Sequence, residues 1–169
     1  MRFKRTPVKG QYVVLISDEI QAAQKFSDTA DFFIEPVFEL VGAYIARSKD
    51  ADTPEAALHE KLRVIFGKEC RIQSLLEDEE GHVFVPTGKI NVKATEALRK
   101  IELNAWIERH HLKLINQSKW MPETVTVTLD DNRADIDQVL QNLEHDPTVD
   151  IAEPDVLTRF TRESVRGAN

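Results

Sequence analysis

Residues 136–155 read IDQVLQNLEHDPTVDIAEPD, and the spacing of apolar residues changes partway along this stretch. The first part has the period of one helix face, which carries Ile136, Val139, Leu140 and Leu143. Pro147 ends that helix, which the pattern places at 133–147. Residues 148–154 then alternate between apolar and polar, as in a half-buried strand. The stretch therefore predicts a helix followed by a final strand, in which Val149 and Ile151 face the core.

The second half of the chain supplies further elements around this helix and strand. GKINVKA (88–94), LKLINQ (112–117) and TVTVTL (124–129) have the composition and alternation of strands. Residues 95–111 predict a helix with an apolar stripe of Leu98, Ile101, Ala105 and Trp106. The resulting order is β-α-β-β-α-β. This order predicts an α+β fold of the ferredoxin-like antiparallel sandwich type.

The first half can be read in the same order, with weaker strand signals. Strands are predicted at 11–17, 31–40, 40–48 and 70–77, with a short helix after Ser17 or Asp18. Pro36 indicates an edge or a bend in its strand. A second helix is predicted at 52–68, with Thr53 as its N-cap and Gly67 as its stop. Two ferredoxin-like units in tandem fit the length of the chain.

The acidic turn EDEEGH at 77–82 is the best internal boundary in the sequence. The predicted domains are an N-terminal α+β unit at 1–80, a second domain at 81–160 and a flexible tail or linker at 161–169. Trp106 and Trp120 are both interpreted as core or domain-packing residues, because no interleaved basic and aromatic residues surround them.

Composition excludes several classes of function. The net charge is −7, which argues against nucleic-acid binding through a broad basic surface. The single cysteine, Cys70, excludes an intrachain disulfide and a cysteine-rich zinc site, and it is interpreted as a half-buried structural thiol. No apolar run has the length of a membrane span, so no membrane partner is expected. No signal peptide is visible, which predicts a cytoplasmic location if the chain is complete.

The sequence contains no constellation of catalytic residues. There is no Gly-rich phosphate loop, no G-x-S-x-G elbow and no H-E-x-x-H sequence. The pair His110 and His111 fits the end of a helix better than a metal site, because adjacent helical residues point about 100° apart. The acidic run at 77–82 fits a solvated turn better than a calcium loop. We therefore expect no enzyme activity, no metal and no cofactor.

Three segments together resemble the propeptides of subtilisin-family serine proteases and the related stand-alone inhibitors. They are TGKINVKA (87–94), HHLKLINQSKWMPETVTVTL (110–129) and the opening stretch at 136–155. The resemblance covers about residues 85–160, so the predicted second domain is similar to a subtilisin propeptide. It implies a module that is both an intramolecular chaperone and an inhibitor of a subtilisin-like serine protease, in cis or in trans.

The resemblance also implies which residues contact the protease. In the family the four-stranded sheet packs on two parallel helices of the enzyme, and acids beside the last strand cap the N-termini of those helices. The following segment runs extended through the substrate cleft. The matching acids are Glu153 and Asp155, with Pro154 between them where many relatives have another acid. The matching cleft segment is Val156, Leu157, Thr158, Arg159, Phe160 and Thr161.

Two questions stay open at the level of sequence. The protease cleaves after about Phe160 or Thr161, or residues 161–169 are part of a linker, or no cleavage occurs. The alternative function is a ferredoxin-like regulatory or protein-interaction module with no protease partner.

Overall fold

The computed structural model describes residues 4–16, 24–95, 103–130 and 136–159. These residues form an α+β fold dominated by an antiparallel sheet of eight strands, with three helices. The strands are β1 (Thr6–Leu15), β2 (Phe32–Pro36), β3 (Ala43–Ser48), β4 (Arg71–Glu77), β5 (Val83–Ala94), β6 (Leu112–Gln117), β7 (Thr124–Leu129) and β8 (Val149–Arg159). The helices are α1 (Glu55–Phe66), α2 (Leu103–Arg109) and α3 (Ile136–Glu144). The predicted α+β class is confirmed.

The chain divides into two compact units. The first unit comprises Met1–Thr87 together with Val156–Asn169, and the second comprises Gly88–Asp155. Strands β5 and β8 each contribute residues to both units, because each runs across a boundary. The boundary that the acidic turn predicts, between residues 80 and 81, lies just before the start of β5.

In the second unit, β7 lies between β5 and β6. Asn91 of β5 is opposite Thr126 of β7, and a β-bulge between Leu114 and Asn116 interrupts the pairing of β6 with β7. Strand β8 pairs with β5, so the order of the strands is β8-β5-β7-β6. Alternation along the strands sends every second side chain to one face of the sheet.

The core of the second unit lies between this sheet and helices α2 and α3. Trp106 and Leu143 are completely buried in it, and Val139 and Leu140 pack against it as the helical pattern predicts. Ile107 is the second buried residue of α2, whereas Ala105 is exposed, so the predicted stripe is wrong at that position. Leu98 and Ile101 lie outside the described residues. The strands contribute Ile90, Val92, Ala94, Leu112, Val125, Val127, Leu129, Val149 and Ala152.

In the first unit, the order of the strands is β2-β3-β1-β4, and all pairs are antiparallel. Helix α1 covers one face of these strands, where Leu58, Leu62 and Phe66 pack against Tyr12 and Val14. Pro36 ends β2, the outermost strand of this order, which agrees with the predicted edge. Most of the short helix predicted after β1 falls on residues 17–23, outside the described residues.

The start of α1 differs from the prediction. The N-cap residue is Pro54 and not Thr53, and no side chain makes a capping hydrogen bond there. The Thr53 hydroxyl instead donates to Asp50 Oδ2 at 3.1 Å, so it stabilises the loop before the helix. The fixed φ of proline suits a helix start, because the first helical N–H groups have no intrahelical partner.

The acidic segment at 77–82 forms a tight turn around Asp78. The Asp78 carboxylate accepts hydrogen bonds from the backbone N–H of Glu80 and from both the backbone and ring N–H of His82. Burial raises the pKa of Asp78, but these bonds from His82 and Glu80 outweigh it and hold the pKa below its usual value. Gly81 has φ +81°, a left-handed conformation that glycine adopts without strain. The segment is therefore a structured turn.

Candidate protein-docking surface

The second unit has one sheet face that its helices do not cover. Side chains of β5 and β7 that point away from the core define this open face, and they are Lys89, Asn91, Lys93, Thr124, Thr126 and Thr128. The intervening residues of both strands are buried against α2 and α3. The two lysines and Asn91 are exposed, and the threonines are half-buried. The open face is therefore polar and accessible to a partner.

Hydrogen bonds connect three neighbouring strands across the open face. The Thr126 hydroxyl of β7 donates to Asn91 Oδ1 of β5 at 2.9 Å. The Asn91 Nδ2 group in turn donates to Asp155 Oδ1 of β8 at 3.3 Å. Such exposed bonds add little stability, but they restrict the rotamers of the side chains that they join. The carboxylate of Asp155 is thus oriented before any partner arrives.

The two acids that the resemblance implies both lie on this side of β8. Asp155 is half-buried at its contact with Asn91, and Glu153 is exposed two residues earlier. Residues two apart in a strand point to the same face. Val149 and Ala152 enter the core, whereas Ile151 is only half-buried and is not part of the core cluster. The prediction for Val149 is confirmed, and Ala152 occupies the place predicted for Ile151.

Pro154, between the two acids, does not interrupt the strand. Strand β8 continues through it to Arg159. Because proline has no N–H to donate, it fits a strand only where that backbone position needs no sheet partner. Among the described strands, β8 pairs with β5 and with no other, which leaves one of its edges without a strand partner.

The segment from Val156 to Arg159 belongs to β8 and to the first unit. Leu157 packs against an apolar cluster of the first unit, and Thr158 is exposed. Phe160 and Thr161 lie outside the described residues. Sequence reasoning treats this segment as the start of a tail, whereas the structure continues the strand through it. Its predicted contact with a protease stays a prediction.

A second polar cluster, which sequence reasoning missed, joins the end of α2 to the loop before β8. Asp146 accepts hydrogen bonds from His110 Nε2 at 2.7 Å, from the Thr148 hydroxyl at 2.5 Å and from the Thr148 backbone N–H at 2.8 Å. Arg109 Nη2 lies 3.2 Å from the same carboxylate. Burial raises the pKa of Asp146, but the bonds from Thr148 and His110 outweigh it and lower the pKa to about 2.

The geometry of this second cluster is that of a structural link. In a catalytic triad a histidine stands between the nucleophile and the acid. Here Asp146 stands between His110 and the Thr148 hydroxyl, so the histidine does not take the place next to the hydroxyl that it has in a triad. His111 follows with φ 53°, a left-handed conformation common after the last turn of a helix. The predicted placement of the histidine pair at a helix end is confirmed.

The two tryptophans have opposite environments. Trp106 is fully buried, as predicted, but Trp120 is 94% exposed, so the prediction of a packing role for Trp120 is wrong. Trp120 lies in the connection between β6 and β7, which the Ser118 hydroxyl stabilises by accepting a hydrogen bond from the backbone N–H of Met121. A short, ordered connection holds the indole in solvent, a feature that a hydropathy pattern does not reveal.

Comparisons with protein-family models, curated proteins and solved structures found no match to this chain. None of the described helices is long and apolar enough to cross a membrane. Within the described ranges, no three or more His, Cys, Asp or Glu side chains are grouped so as to hold a metal ion. The geometry that bears on function is therefore the open face and the acids beside it.

Proposed function

We propose that this chain is a prodomain-like chaperone and inhibitor of a subtilisin-like serine protease. The open face packs on the protease, and Val156 to Thr161 occupy its substrate cleft. The chain itself is non-catalytic. The observation that supports this proposal is that Glu153 and Asp155 stand together on the uncovered side of β8. The sequence resemblance over about residues 85–160 gives the class of partner.

The arrangement of charges suits the ends of partner helices. The N-terminus of a helix presents unpaired N–H groups and the positive end of the helix dipole, so it attracts carboxylates. A carboxylate has about four acceptor sites, and Asn91 Nδ2 occupies one of those of Asp155. Glu153 is exposed and long enough to reach outward. Two parallel helices of a protease would offer one N-terminus to each acid.

We propose further that both units are ferredoxin-like. Numbered within each unit, the strands lie in the order fourth, first, third, second. This is the order expected for a β-α-β-β-α-β antiparallel sandwich. This fold requires a helix between β1 and β2, and the sequence predicts one after Ser17 or Asp18, largely outside the described residues. An NMR assignment of helical chemical shifts there would support the proposal for the first unit, and extended shifts would contradict it.

The direct test measures inhibition. A set of subtilisin-like proteases is titrated with the purified chain while hydrolysis of a small peptide substrate is followed. We expect complete inhibition at one chain per enzyme, and faster recovery of activity when unfolded protease refolds with the chain present. Trypsin is the control, because it has the same triad on an unrelated fold. A chain that neither inhibits nor assists refolding of any of these subtilisins contradicts the proposal.

A second candidate is a regulatory or protein-interaction module with no protease partner. It is favoured by the packing of Leu157 within the chain, because a residue held in a strand is not a free tail. This candidate predicts that substitutions at Thr158 leave partner binding unchanged. The first candidate predicts that bulky or charged substitutions there change protease inhibition.

A further inference from the structure

The sheet of the first unit is buried on both faces. Helix α1 covers one face, and the opposite face carries an apolar cluster of its own, which we call the second-face cluster. Its buried members are Val13, Val37, Ala43, Ile45, Leu75 and Val85. Val13 and Leu75 are completely inaccessible to solvent although no described helix contributes to this cluster.

Leu157 lies against the second-face cluster from the C-terminal end of the chain. Its side chain is half-buried there, and its backbone belongs to β8. Val83, at the start of β5, packs on the same cluster. The apolar surface of the first unit is thus covered in part by residues from much later in the sequence.

This packing conflicts with the extended cleft conformation of the same segment. A protease cleft pairs with the backbone of an inserted peptide and encloses its side chains. Leu157 is itself one of the residues assigned to the cleft, so it cannot stay packed on the second-face cluster while residues 156–161 are drawn into an enzyme.

We infer that the first unit is a regulatory element, which holds residues 156–159 in the free protein and releases them when the chain inhibits a protease. This inference rests on the proposed function. It assigns to residues 1–87 a role that the sequence leaves open. Only chains in which residues 156–159 are released can bind a protease. The apparent affinity is therefore the intrinsic affinity multiplied by the released fraction of chains.

The first arm of the test uses hydrogen exchange and needs no protease. In the free full-length chain, the amides of residues 156–159 should exchange more slowly than in a peptide of the same sequence. Leu157→Ala should speed their exchange by about tenfold, since it removes a half-buried side chain. Leu75→Val, which shrinks the cluster without changing the C-terminal segment, should act in the same direction. Asp150→Ala, at an exposed position of β8, is the matched control.

The second arm measures the rate at which each variant associates with a subtilisin-like protease that the wild-type chain inhibits. Leu75→Val should associate faster than the wild type, because more of the segment is released before the encounter. Unprotected amides at 156–159 in the wild type overturn the inference. Faster exchange throughout the chain in both variants also overturns the inference. Inhibition by the wild type and by Leu75→Val with identical association rates overturns it as well. Absence of inhibition by every variant overturns the proposed function instead, even where the amides are protected.

Discussion

At the scale of single residues, Asp146 makes the clearest energetic contribution. Its pKa in the folded protein is about 2, below the usual 3.8, so its ionised form stabilises the fold. This contribution is complete above about pH 4 and is lost as the pH falls toward 2, and a shift of this size corresponds to about 2 kcal/mol. We expect Asp146→Asn to lower the free energy of unfolding at pH 7 and to flatten its decline between pH 4 and pH 2.

Urea unfolding at several pH values measures this effect. Asp150→Asn is the matched control, because Asp150 is an exposed acid on β8. The control should keep the stability of the wild type at pH 7 and its decline in acid. Equal behaviour of the two variants would mean that the Asp146 cluster adds nothing to stability.

Glu153 and Asp155 are the residues to change on the open face. Each helix cap that is lost should weaken protease binding by about 1 kcal/mol, or roughly fivefold in Kd. Glu153→Ala and Asp155→Ala should therefore raise the inhibition constant, with Asp150→Ala as the control on the same strand. Asn91→Ala should have a smaller effect in the same direction, because Asn91 only orients Asp155. Unchanged affinity in both acid variants would remove the capping role and leave inhibition itself open.

At the scale of elements, helix α2 and the β6–β7 connection give a matched pair of tryptophans. Trp106 of α2 is fully buried, and Trp120 of the connection is almost fully exposed. Trp106→Ala should cost about 3–5 kcal/mol of stability, as large core truncations do. Trp120→Ala should stay within about 0.5 kcal/mol of the wild type. Chemical denaturation of both variants checks this, and similar losses would show that Trp120 packs in solution.

Local patterns predict elements better than they predict contacts. Period-two alternation gives β7 and the later part of β5, and the helical period gives α1 and α3, because burial of one face leaves that trace in the sequence. Alternation does not reveal the extension of β8 to Arg159. Residues 156–159 are in strand conformation because they pair and pack with parts of the chain that are distant in sequence. The link between Asp146 and His110 was missed for the same reason.

The candidate surface could be predicted only in part. The alternation around Asn91 and Thr126 predicts that these residues point away from the core, and both acids on β8 were named from the resemblance. The hydrogen bonds that join Asn91 to Thr126 and Asp155 depend on strand order and register. Several sheet arrangements are compatible with the same pattern of alternation. The pattern alone therefore does not determine which residues of neighbouring strands are paired.

At the scale of the whole molecule, the first unit depends on residues from both ends of the sequence. Deletion of 156–169 should lower its stability by about 1–2 kcal/mol and increase the binding of a hydrophobic dye, because Leu157 no longer covers the second-face cluster. Deletion of 162–169 is the comparison, since it keeps β8 whole. Thermal unfolding and dye fluorescence distinguish the two. The same result for both deletions would contradict a covering role for Leu157.

The position of Leu157 also has a consequence for synthesis on the ribosome. A chain normally begins to fold from its N-terminus while the remainder is still being translated. Here β1 to β4 emerge early, but the residue that covers part of their second face is made only after the whole second unit. The nascent first unit is therefore incomplete until translation has passed codon 157. An arrest of translation before codon 157 should therefore leave that unit open to chaperones.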